Sequence, residues 1–174
     1  MRIVNATELT PELADIEAKL AHAIDHYAAD EEAKGDRVVE AAVERLKGFL
    51  QGPERRAALM LWGMALQLLR EPEQALLRYE EVLHDVPGDE DALWQCVQIF
   101  LVDMENPTTA RRILEDRLLP VADKPEYRDA LQMARLALGE RPGKEAEEAA
   151  ATAAQVAKDA GDALILAEDD AQGA

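Results

Sequence analysis

Apolar residues recurring at steps of three and four, broken at short intervals by proline and glycine, constrain this chain more than any other feature. That spacing places the apolar side chains on one face of a helix, whereas a strand would need strict alternation, which is almost nowhere found. Thr10-Pro11 opens the first helix: a capping side chain is followed by a proline whose missing N–H costs nothing in the first turn. Leu13, Ile16, Leu20, Ile24 and Tyr27 share a face of this helix, which the pattern extends to about Ala33, with Gly35 ending it and Asp36 capping the next. Val39, Ala42, Val43, Leu46, Phe49 and Leu50 form a second stripe that Gly52-Pro53 stops. Further helices are expected over about 55–69, from Pro72 to near His84, 91–104, Pro107 to before Pro120, and 125–138, with one more from Lys144 to about Ala160.

Short helices joined by brief turns make antiparallel hairpins, and here the hairpins repeat. Leu59, Leu93 and Tyr127 are 34 residues apart, as are Trp62, Cys96 and Ala130, then Gly63, Val97 and Leu131, then Leu66, Phe100 and Ala134. The unit 56–89 carries Gly63, Ala75 opening the second helix, Tyr79 in an aromatic slot and Pro87 at the close. In this pattern the chain resembles the tetratricopeptide repeat family, whose unit is a 34-residue helical hairpin with small, aromatic and proline residues at those intervals. The resemblance implies an all-α, right-handed stack of antiparallel helical hairpins: a tail over 1–10, a repeat domain over 11–139 and an Ala/Glu-rich helix with an acidic tail over 140–174. Within the domain, 56–89 matches best. Residues 90–124 follow with Val97 in the glycine slot and one extra residue, expected in the turn between Asp103 and Pro107, and 11–52 form a divergent or capping hairpin.

Gly63 and Ala75 are expected to face each other where two helices cross closely, with Tyr79, Trp62 and Leu66 filling the gap between hairpins. Because members of this family are binding scaffolds, the resemblance implies that the first helices line a groove for a partner's peptide or amphipathic helix. The residues that point into it would be Met60, Met64 and Leu68, then Trp94, Gln98 and Val102, then Arg128, Gln132 and Arg135. Methionine adapts to many shapes and tryptophan offers a large contact area, which suits such a groove. An alternative is that the N-terminal hairpin or the C-terminal segment fills it. The Lys/Asn/Arg clamp of one subclass is replaced here by Met60, Met64, Trp94 and Gln98, so a C-terminal carboxylate is not the expected ligand.

Composition narrows the chemistry. There is no serine in the 174 residues, which excludes Ser nucleophiles, and Cys96 is the single cysteine, which excludes an internal disulfide and a thiolate zinc cage. The net charge of −17 repels phosphate backbones and anionic lipid, so neither nucleic acid nor a membrane is an expected partner. His22 and His26 stand four apart, a metal-sharing spacing, but no third ligand is identifiable and no metal is expected. Asp89-Glu90-Asp91 lacks the alternating oxygens of a calcium loop and reads as acids at a helix N-terminus. Cys96 should be a buried, inert thiol. With no nucleophile, metal set or phosphate loop, no catalytic residue and no cofactor are expected. The start MRIVNATEL lacks a basic n-region and an apolar h-region, so a cytoplasmic location is expected. The function expected is that of a non-catalytic adaptor for a protein partner. A small chaperone of a bacterial secretion or assembly system, or a subunit that closes its groove by self-association, is the alternative.

Overall fold

The computed structural model describes residues 9–140. They form seven helices and no strand: α1 (Pro11–Ala28), α2 (Glu32–Leu46), α3 (Arg55–Leu68), α4 (Pro72–Asp85), α5 (Glu90–Gln98), α6 (Pro107–Ile113) and α7 (Pro125–Ala137). Contacts divide the chain into two compact units, 1–134 and 135–174, of which the second is described only over 135–140. The helix expected over 144–160 lies outside the described residues.

Consecutive helices pack on one another from α1 to α6, and α1 also packs on α3. Three of the helices begin as the capping residues dictate. Thr10, Asp89 and Asn106 each accept a backbone N–H three residues on, at 3.5, 2.9 and 3.1 Å, and α1, α4 and α6 open on proline. One apolar cluster runs through the stack, from Leu13, Ile16 and Leu20 through Leu59, Met60 and Leu61 to Leu93, Ile99, Leu114 and Leu118.

The first turn differs from the sequence expectation. α1 ends at Ala28, and Gly35 lies inside α2. The chain reverses at Asp30, in the left-handed region at φ 58°, and the Glu31 N–H reaches back to the His26 carbonyl at 2.9 Å, closing the helix without glycine. Gly35 serves the packing of the two helices instead. A Cβ there would sit 2.8 Å from the Tyr27 ring, so its bare backbone lets α1 and α2 meet. A left-handed aspartate costs about 1 kcal/mol more than glycine and puts a negative charge at a helix C-terminus. Asp30→Gly should therefore raise stability by about 0.5–1 kcal/mol, read as a higher urea midpoint with an unchanged slope.

The extra residue of the second repeat is also placed differently. Pro72 and Pro107 open corresponding helices 35 residues apart. The additional residue is absorbed inside the helix, where Ile99–Asp103 widens into a π turn and the Met104 N–H bonds the Ile99 carbonyl at 3.0 Å. Arg70 and Glu105, each two residues before the proline, both adopt left-handed backbone. A second π turn, Leu114–Leu118, continues α6.

Candidate functional site

Gly63 and Tyr79 meet where α3 and α4 pack closely. A Cβ on Gly63 would lie 2.5 Å from the ring carbons Cε1 and Cζ of Tyr79, which is wholly buried and donates its hydroxyl to Gln67 Oε1 at 2.8 Å. The atoms nearest to Gly63 are those of the Tyr79 ring, and Ala75 is buried in the same core. An aromatic side chain one turn further along α4 thus extends to the α3 backbone. Pro87 is exposed in the turn before α5, where its carbonyl accepts from Arg117 at 2.8 Å.

The residues expected to line a groove divide in three. Met60 is 0% exposed and belongs to the core, and α1 packs against the helix that carries it, so Met60 is removed from the groove set. Met64, Leu68, Trp94, Gln98 and Gln132 are half-buried, and the first three pack on the edge of the core. Val102 is 69% exposed and Arg128 is exposed, the latter bound to Asp123. Because the π turn adds a residue between Gln98 and Pro107, counting back from the prolines aligns Val102 with Gln67, and Asp103 with Leu68. Trp94 is partly covered within the chain, its ring 4.8 Å from that of Tyr127 on α7.

A ladder of polar ties joins the first helices, and its signal is legible at 34-residue spacing although the apolar pattern conceals it. Arg56, Glu90 and Lys124 occupy one slot in successive units with alternating sign. Arg56 Nε bonds Asp89 at 2.5 Å and its Nη2 reaches Asp91 at 2.9 Å; Glu90 binds Lys124 and accepts the Tyr127 hydroxyl at 2.7 Å. Asp89, whose side chain is 5% exposed, also caps α5. The Lys124 ammonium, followed by the Tyr127 hydroxyl, holds the Glu90 carboxyl below the ordinary carboxylate range, while burial and then Glu90 push the Tyr127 phenol up to about 12. A carboxyl lowered on folding stabilises above its unfolded pKa and loses that contribution as pH falls through the lowered value. Wild type should consequently lose more stability than Glu90→Gln between pH 7 and pH 3, by urea midpoints measured at each pH.

A second feature was not anticipated. A cleft of about 650 Å³ lies between α2 and α3, walled by Arg37, Glu40, Ala41, Val43, Glu44 and Lys47 and floored by Trp62, Leu66 and Leu69, with Glu71 at its edge. The Arg78 guanidinium sits 5.0 Å from the Trp62 ring centre. Trp62 and Met64 are roughly 200° apart around a helix of 3.6 residues per turn, so the cleft and the Met64 row occupy different sides of α3. Trp62 thus both packs on the core and lines the cleft, and its neighbours on α2 are not encoded in the repeat spacing.

The remaining candidates have structural partners. Cys96 is buried, and burial, reinforced by Glu80, pushes its thiol up to about 12, far from a reactive thiolate. The His22 and His26 rings lie edge to face at 4.8 Å; His26 Nδ1 is 2.8 Å from Glu31 and His22 Nδ1 is 3.4 Å from Asp25. No group of three His, Cys, Asp or Glu side chains that could hold a metal ion occurs among the described residues. None of the described helices is long and apolar enough to cross a membrane. Comparison with protein-family models, with curated proteins and with solved structures finds no match to this chain.

Proposed function

We propose that this chain is a non-catalytic docking scaffold, a tetratricopeptide-like stack of helical hairpins that receives a peptide or amphipathic helix of a protein partner along its first helices. The observation that carries this reading is the half-exposed row of Met64, Leu68, Trp94 and Gln98, with exposed Val102 beside it, displaced from the Leu68 slot by the π turn, on helices held in line by the Arg56 and Glu90 ties. Adaptable and aromatic side chains at the edge of a rigid core supply contact area at low entropic cost. Met60 contributes from beneath, as support for the row.

Trp94 also braces α7 through Tyr127, so the test uses the exposed Val102 and the half-buried Gln98 instead. Val102→Glu combined with Gln98→Lys should keep the helical CD signal and the melting temperature within about 2 °C, yet lose specific partners that wild type retains in quantitative affinity capture from its native extract. Identical capture profiles for wild type and variant would overturn the assignment of the row. A partner retained by the variant but lost on unfolding would place recognition elsewhere.

A further inference from the structure

We infer that the cleft between α2 and α3 is a second docking site, for a basic amphipathic helix of about three turns. This goes beyond the first-helix row and does not depend on it. The wall from Arg37 to Lys47 spans ten residues, about 15 Å at 1.5 Å per residue, and the floor of Trp62, Leu66 and Leu69 is apolar. Helical anchors at i, i+3 or i+4, and i+7 cover such a floor.

Charge then selects the occupant. Glu40 and Glu71 border the cleft, and neither has an ion-pair partner among the described residues, while Glu44 is engaged by Lys47 at 2.5 Å. Over 9–140 there are 15 Lys and Arg against 27 Asp and Glu, a net charge of −12, and most of those cations are already tied to carboxylates. A partner that places Lys or Arg opposite Glu40 and Glu71 satisfies both acids in a field that already attracts it. Arg37, at the N-terminal end of the wall and without an ion-pair partner among the described residues, is left for an acid one turn away on the same partner. A second copy of this chain fits poorly. Two α2 helices laid antiparallel and in register would set Arg37 on Lys47 and Glu40 on Glu44, like charge on like.

The chain has two tryptophans, so a Trp94→Phe variant leaves Trp62 as the sole indole reporter while keeping an aromatic ring against Tyr127. The probe is a synthetic amphipathic helix of leucine and lysine, with its leucine and glutamate counterpart as control. Titration of the lysine peptide should shift Trp62 emission saturably. The Glu40→Lys/Glu71→Lys variant should weaken that binding roughly tenfold or more, and Val102→Glu should leave it unchanged. An unmoved Trp62 emission, equal affinity for both peptides, or indifference to the double charge reversal would overturn the inference. Light scattering that shows a dimer dispersed by Glu40→Lys/Glu71→Lys would assign the cleft to a second copy instead. Loss of peptide binding on Val102→Glu would move the event to the first-helix row, a failure distinct from any failure of the row itself.

Discussion

Gly63→Ala should destabilise the protein by about 2–3 kcal/mol, although alanine is the better helix former by about 1 kcal/mol. The added methyl would stand 2.5 Å from the Tyr79 ring, and that ring cannot retreat because it is fully buried and its hydroxyl is bonded to Gln67. Relief requires the two helices to part or the hydrogen bond to break. For a chain of this size the loss corresponds to a fall in melting temperature of about 4–12 °C. The mechanism is tested by a double-mutant cycle. Tyr79→Leu is itself costly through the cavity it leaves, but in that background Gly63→Ala should be neutral or slightly stabilising, since the clash is gone and the helix propensity remains. An equal penalty in both backgrounds would show that the ring is not the obstacle. Gly35→Ala provides an internal comparison: its Cβ would meet the Tyr27 ring at 2.8 Å, and that ring, though only half-buried, is tethered by its hydroxyl to Asp36 at 2.8 Å. Its cost should be smaller than that of Gly63→Ala, about 1 kcal/mol, because the half-buried ring can shift toward solvent once that bond is given up.

The second large effect concerns Asp89. Its carboxylate caps α5 and receives the Arg56 guanidinium, with only 5% of the side chain exposed. Removing it takes away a cap worth about 1 kcal/mol and deprives a partly buried cation of a closely bonded carboxylate. Asp89→Ala should therefore cost about 3 kcal/mol. Asp89→Asn, which keeps the cap oxygen and removes the charge, should recover roughly the cap's share of that loss. Arg56→Ala measured with and without Asp89→Ala isolates the pair, and the two losses should be strongly non-additive. Additive losses would mean that the tie between successive first helices contributes nothing beyond the cap.

Both predictions show how a repeat pattern becomes a structure. The 34-residue recurrence of Leu59, Leu93 and Tyr127 places all three in the core, and the turn signals at Pro72, Pro87-Gly88 and Pro107 mark reversals that the helices obey. Those are local facts, since the apolar period and the cap chemistry act within a few residues of where they are written. The end of α1 is not legible in the sequence because Asp30 takes a left-handed backbone that glycine adopts more readily, while Gly35 lies inside α2. The inserted residue before Pro107 was visible as a count but not as a π turn. A single extra residue can be housed in a loop or in a widened helix, and the packing of Ile99 in the core chooses.

The candidate surfaces follow the same division. The resemblance to a repeat family, together with helical phase, nominates Met64, Leu68, Trp94, Gln98 and Val102, and it equally nominates Met60, which is wholly buried in the core. The cleft floored by Trp62 depends on how α2 lies across α3, a relation between residues about twenty apart that no periodicity encodes. Composition and spacing by themselves determined an all-helical, acidic chain of short hairpins with a buried cysteine, because helix formation and burial are governed by neighbours three and four residues away. Which apolar faces stay open, which glycines meet aromatic rings, and which carboxylates remain without a cation were decided only when the helices packed, since each depends on contacts between distant segments.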